Sequence, residues 1–360
     1  MTPRRVCFPL LGNYHIAEKP LGLLIGDEVI VPPRLTKKTL EIGAKYSPES
    51  VCVPFKYTLG NFIEAIEQGA NVLVQAGGGC RLGCYGEVQK TILKKLGYNV
   101  EYIRLVNEFG LLSLIRFAKQ LNPRLSYFHI CKVFYFAYAK ARAIDEIEDV
   151  IRKNIGFETR KGTFERLQKR AFAELDEAAT LGAIREVVRS FMKQASEIDV
   201  NKPDKPLRVG FVGEFYVVLE PFSNFFIEKQ LAEYGVEVHR PLTFSSEVRN
   251  YIFYDRHIRH LLAEAAPYLH HAVGAHGTES VVQAVRFAKN GFDGMIHVKP
   301  FGCMPEINAM PALHRVSEDF QFPILYFSFD SLTSETGIKT RLEAFYDMMT
   351  MRKNSDVRTN

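Results

Sequence analysis

The sequence predicts an α/β protein: two doubly wound parallel-sheet domains with a helical region between them. Three observations lead there. Short apolar runs alternate with amphipathic helical patterns in both halves of the chain, which is the signature of parallel sheets covered on both faces. A long segment rich in Ala, Glu, Lys, Arg and Leu separates the halves. The length of 360 residues suffices for two cores, since one domain usually takes about 100–200 residues.

In the first half, the candidate strands are residues 6–10, 29–31, 72–75 and 100–105, and helical patterns fall at 36–44, 60–68, 85–95 and 110–121. These make an N-terminal α/β domain over 1–123. The middle region, 124–200, repeats apolar residues at three- and four-residue steps, as in Leu181, Ile184, Val187, Val188 and Phe191. That spacing gives two or three amphipathic helices, with breaks suggested at Gly156, Gly162 and Gly182. A polar stretch with two prolines, Asp199 to Pro206, reads as a linker. The alternation then restarts in a C-terminal α/β domain over 201–360. Its candidate strands are 207–212, 236–240, 271–273, 295–298 and 324–329, and its helices 225–234, 247–266, 279–290, 306–315 and 339–351.

Composition narrows the function classes. A hydrophobic fraction of 47% and a charged fraction of 24% fit a globular chain with no low-complexity segment. A net charge of +5 is small for this length, and the aromatics are not interleaved with a basic patch, so neither DNA nor RNA is expected as partner. No apolar run approaches the roughly 18–20 residues of a membrane span. The apolar start, broken at Pro9 and ending at Gly12-Asn13, suits a first strand better than a signal peptide. A cytoplasmic location is therefore expected, where six cysteines are more often free, catalytic or metal-bound than bridged.

The chemistry concentrates at Gly77-Gly78-Gly79-Cys80-Arg81-Leu82-Gly83-Cys84-Tyr85-Gly86, directly after the 72–75 strand. Glycines let a backbone turn tightly and aim its N–H groups at an anion. A loop after a strand of an open α/β sheet is the usual ligand position. Cys52, before Val53-Pro54-Phe55-Lys56, and Cys303, before Met304-Pro305-Glu306, have similar settings near a proline and a phenylalanine. The four thiols Cys52, Cys80, Cys84 and Cys303 fit a site assembled from separate loops. Soft thiolates select an iron–sulfur centre or zinc; plain buried thiols are the remaining reading. Lys56, Arg81 and Lys299 would supply positive charge, and the amides of Gly78 and Gly79 hydrogen-bond donors. Cys7, in the first strand, and Cys131, in a helical stretch, read better as small buried hydrophobes. The glycine loop lacks the GK[ST] ending of a P-loop and a clean GxGxxG, and no GxSxG occurs. In Gly274-Ala275-His276-Gly277-Thr278, capping of the next helix by Thr278 is the expected role, with presentation of His276 to a ligand as the alternative.

These segments resemble the 2-hydroxyacyl-CoA dehydratase D-component (beta subunit) superfamily. Within it, they are most similar to the small stand-alone acyl-CoA dehydratase activase-related proteins. The resemblance runs through nearly the whole chain outside the middle helices. It is carried by Phe8-Pro9-Leu10-Leu11-Gly12-Asn13-Tyr14, Tyr46-Ser47-Pro48-Glu49, the segment Cys52 to Lys56, and Leu59 to Ala65. The glycine–cysteine loop through Gln89, Gly291-Phe292-Asp293-Gly294, Pro300 to Glu306, and Thr340 to Phe345 complete it. The resemblance implies two flavodoxin-like domains plus a helical part, with Cys52, Cys80 and Cys303 at cluster-ligand positions. It implies a 4Fe–4S cluster on three cysteines, and a low-potential electron supplied by an ATP-hydrolysing activase. The related double-cubane proteins carry an 8Fe–9S cluster on six cysteines and reduce small molecules. The family often has an aromatic residue at the position of Cys84, so this chain departs from the pattern there: a fourth thiolate would close the cluster or extend the site. The expected function is low-potential electron transfer or reductive, dehydratase-like chemistry, in a homodimer or with a related subunit. The alternatives are a double-cubane reductase and a non-redox scaffold or zinc-binding partner of an activase.

Overall fold

The computed structural model describes residues 3–76, 80, 82–105 and 111–359. The chain divides into two units. The first comprises Met1–Ile144, Phe172–Glu186 and Phe244–His257; the second comprises Asp145–Ala171, Val187–Thr243 and Ile258–Asn360.

The first unit runs β1 (Arg5–Cys7), α1 (His15–Ile25), β2 (Glu28–Val29), α2 (Lys37–Tyr46), α3 (Val53–Glu67), β3 (Val72–Ala76), α4 (Leu82–Lys95), β4 (Glu101–Leu105) and α5 (Leu111–Leu121). Its four strands are all parallel, in the order β2-β1-β3-β4. Strand alternation sorts the core. Val6, Phe8, Val72, Val74 and Ile103 pack with Leu21 and Ile25 of α1. Cys7 and Leu73 point the other way, against Phe55, Leu59, Phe62 and Ile63 of α3 and Leu93 of α4. Thr36 caps α2 in a box with Thr39, and α2 crosses α3 at two glycines. A Cβ on Gly43 would sit 1.7 Å from the Lys56 carbonyl, and one on Gly60 2.0 Å from that of Thr39, so both backbones approach only because side chains are missing there.

The middle region forms three helices, α6 (Tyr127–Asn154), α7 (Thr163–Glu177) and α8 (Leu181–Ser196). The first break is a 3-10 turn at Ile155–Phe157 followed by Gly162. The second precedes Leu181, so Gly182 lies inside α8 rather than at its end. The periodic Ile184, Val187 and Phe191 are the buried stripe of α8.

The second unit repeats the strand plan with β5 (Leu207–Gly213), α9 (Phe215–Leu219), α10 (Ile227–Glu233) and β6 (Val236–His239). Next along the chain come α11 (Phe244–Ile252), counted with the first unit, and α12 (Tyr254–Ala265). The unit closes with α13 (Gly277–Lys289), β7 (Gly294–Pro300), α14 (Met304–Asp319), β8 (Ile324–Phe329) and α15 (Glu335–Thr359). Its parallel order, β6-β5-β7-β8, matches the first sheet strand for strand. The two flavodoxin-like parallel-sheet folds expected from the sequence are therefore present. An ion-paired network buried in this unit joins Arg240 to Glu148 (2.7 Å) and to Glu228 (3.6 Å), and Arg152 to Glu148 (3.5 Å) and to Glu228 (3.7 Å).

Three local expectations need correction. Residues 271–273 are not a strand: the Val273 amide donates to Thr278 Oγ1 (3.1 Å), and Gly274, at φ +84°, turns the chain into α13. The helix expected over 247–266 is two, α11 and α12, meeting at Phe253. Helix α1 is not among the expected helices, since Pro20 and Gly22 lie within it and both residues ordinarily argue against a helix interior.

Candidate functional site

In each sheet the strand order reverses between its first and third strands, and ligands of open α/β sheets bind beyond the carboxyl ends at that switch point. In the first unit this is where β1 and β3 end. Cys80 follows β3 by four residues and is half-buried. Gly78, Gly79 and Arg81, expected around it, lie outside the described residues. Cys52 is the N-cap residue of α3, half-buried and packed on the α3/α4 side of the core. Cys84 sits near the start of α4 and is exposed. Lys56, in the opening turns of α3 and close along the chain to Cys52, is buried with 6% of its surface exposed.

The turns bearing Cys52 and Cys84 are brought together. Phe55, three residues after Cys52, packs edge-on against Tyr85, the neighbour of Cys84, with centroids 5.0 Å apart. A buried polar clamp holds the same two helices. Gln89 Nε2 of α4 donates to Thr58 Oγ1 of α3 (2.8 Å) and to the Phe55 carbonyl (3.3 Å). Its Oε1 accepts from the Tyr102 hydroxyl of β4 (2.7 Å), which also bonds Gln75 of β3. Burial, with Glu87 adding to it, pushes the Tyr102 phenol well up, so it stays a neutral donor. Sequence reading missed this clamp: Gln75, Gln89 and Tyr102 are unremarkable letters until two strands and two helices place them together.

One tetrahedral ion with sulfur ligands at about 2.3 Å holds those ligands within about 4.6 Å of one another. Among the described residues of the first unit, Cys52, Cys80 and Cys84 do not form such a group. A polynuclear cluster spreads its thiolates further apart, so this spacing bears on a single zinc ion and not on an iron–sulfur core.

Cys303 belongs to the second unit. It follows β7, the third strand there, as Cys80 follows β3, and it is the N-cap residue of α14. Both N-cap cysteines stand two residues before a proline, Cys52-Val53-Pro54 and Cys303-Met304-Pro305. Proline suits the first helical turn, where its missing N–H has no helical partner to lose. Gly302, at φ +75°, makes the left-handed turn that delivers Cys303 to the helix.

Around Cys303 lies a buried polar group that the sequence did not announce. His297 of β7 and Glu306 of α14 pair at 2.7 Å with almost no exposure, and Ser280 of α13 donates to the same carboxylate oxygen at 3.0 Å. Glu214, N-cap of α9, accepts from the Val217 amide (3.0 Å), and burial raises its carboxyl. Lys299 is likewise buried, and desolvation lowers its pKa against the opposing pull of Cys303 and Glu306. The only signals available beforehand were a histidine and a lysine inside a strand that is otherwise apolar. His276 takes the N-cap position of α13, stacked on Phe215 with centroids 5.7 Å apart, while Thr278 serves the preceding loop.

The two remaining cysteines differ from each other. Cys7 is buried, its Sγ 3.2 Å from the Phe8 carbonyl, and burial drives its thiol pKa far up, as suits a core residue. Cys131, expected to be buried, is exposed on α6. Among the described residues, no helix is long and apolar enough to cross a membrane. No protein-family model matches the chain, and no curated protein matches it.

Proposed function

We propose that this chain is an iron–sulfur protein of low-potential electron transfer or reductive, dehydratase-like chemistry, with Cys52, Cys80, Cys84 and Cys303 as the thiolate set. The observation that carries the reading is positional. In each of two like sheets, the loop after the third strand carries a half-buried cysteine, Cys80 in one and Cys303 in the other. In the first unit, the Cys52 turn is fastened to the helix that bears Cys84. Soft, partly shielded thiols with buried lysines nearby fit an anionic cluster. Lys56 and Lys299 would offset its charge, and Gly78, Gly79 and Arg81 would add donors around the sulfides.

A 4Fe–4S or 8Fe–9S cluster would supply one-electron chemistry when bound. The chain's own part is to keep that centre dry and to hold Lys299 and Glu306 beside Cys303. An ATP-dependent activase is the proposed electron donor, in line with the family resemblance of the cysteine segments. The cytoplasm, which is reducing, is the proposed location. Cys80→Ser tests the set: anaerobically prepared variant should lose most of the iron that the parent carries while keeping its helical circular dichroism. Equal iron in parent and variant would remove Cys80 from the site.

A further inference from the structure

A pocket of about 150 Å³ lies in the first unit, and no cysteine is among its described lining residues. It is bordered by Phe8, just past β1, by Leu21 of α1 and by Phe134 of α6. Phe8 and Leu21 also belong to the core layer on the α1 side of the first sheet. The space exists because three helices present alanine to it, Ala17 on α1, Ala118 on α5 and Ala137 on α6, each of them buried.

The lining decides what can occupy it. Among the described residues, the lining is apolar or aromatic, with Tyr138 alone carrying a hydroxyl. An ordered buried water needs two to four polar partners, so water is a poor occupant here. A cavity of about this volume lined by Leu, Ile and Phe stays dry and takes up benzene. Leu21, Phe134, Tyr138 and Phe244 are only half-buried, so the pocket opens to solvent on one side and a ligand can enter it. We propose that the cavity is a binding site for one ring-sized, uncharged hydrocarbon group, either a small aromatic molecule or the apolar end of a larger one. The site is independent of the iron–sulfur reading, because no thiol or buried lysine contributes to it.

The test uses the full chain and benzene as probe. Benzene-saturated buffer should raise the thermal midpoint by about 2 °C or more, because a ligand that binds only the folded state stabilises it by mass action. In Tyr138→Phe, which removes the one hydroxyl among the described lining residues, pyridine, of the same shape as benzene but with a nitrogen then left without a donor, should bind about tenfold more weakly than benzene, the factor that one lost buried hydrogen bond gives. Ala137→Phe places a ring in the cavity and should abolish the benzene shift. Ala118→Leu fills it from another helix and serves equally should the first variant not fold. A parent protein that benzene leaves unmoved, or a shift of equal size in a folded filled variant, overturns the proposal.

Discussion

Glu18 gives the sharpest test of how this fold handles charge. It sits on α1, and burial raises its carboxyl from 4.5 to about 8. Below about pH 4.5 both folded and unfolded chains hold this proton, and the group does not affect stability. Between about 4.5 and 8 the folded chain keeps the proton while the unfolded chain has lost it. Stability therefore falls as pH rises through that window, and levels off above it. At 1.36 kcal/mol per pH unit, a rise from 4.5 to about 8 sets a ceiling of about 5 kcal/mol. Glu18 is only half-buried by surface area, and water reaching it cuts the effect to about 2 kcal/mol. Glu18→Gln keeps the shape and removes the titration. Urea unfolding of parent and variant at pH 5, 7 and 9 should give curves that separate progressively. The variant should be about 2 kcal/mol more stable relative to the parent at pH 9 than at pH 5. A difference that stays flat across the three pH values would show that Glu18 meets water freely and that the burial argument is wrong.

Other expectations follow from packing and pairing. Gly43→Ala forces α2 off α3, because the new methyl would lie 1.7 Å from the Lys56 carbonyl. It should cost about 1–3 kcal/mol in denaturant unfolding, and an unchanged midpoint would contradict the close helix crossing. Glu306→Ala strands the His297 ring and the Ser280 hydroxyl in a dry site. We expect a loss of about 2 kcal/mol, with Glu306→Gln milder because an amide oxygen still accepts; equal losses would argue against the hydrogen-bonded pairing. Arg240→Ala leaves Glu148 and Glu228 without their closest buried cation and should destabilise by about 3–5 kcal/mol; a loss under 1 kcal/mol, about that of a surface pair, would mean that water screens the network. Cys84 is exposed where Cys52 and Cys80 are half-buried. Because Cys84 is one of the four proposed thiolates, Cys84→Ser should lower bound iron as Cys80→Ser does, and an iron content equal to the parent's would take Cys84 out of the set.

The sheets were legible because apolar runs of the right length are hard to mistake. Among the described residues, seven of eight strands fall on expected runs over most of their length, and β2 overlaps its run at Val29. The short run His271-Ala272-Val273 is not a strand, because the Val273 amide is claimed by Thr278, a contact five residues ahead that no period reveals. Helix α1 was hidden by Pro20 because local propensity is weak against a packed face: Ile16, Ala17 and Leu24 bury enough surface to hold the helix. At the site, cysteines beside glycines and prolines stand out as letters, so Cys52, Cys80 and Cys303 could be picked out. Glu306, His297, Ser280 and the Gln89–Tyr102 clamp could not, because each acquires a role only when distant strands and helices converge.

The most direct measurement is iron and acid-labile sulfide per chain in protein purified without oxygen, read together with electron paramagnetic resonance after reduction. About four irons with matching sulfide are expected for one cube, or about eight for a double cubane, together with a signal from the reduced cluster. Colourless, folded protein with neither iron nor sulfide, which also takes up none on anaerobic reconstitution, would contradict the account.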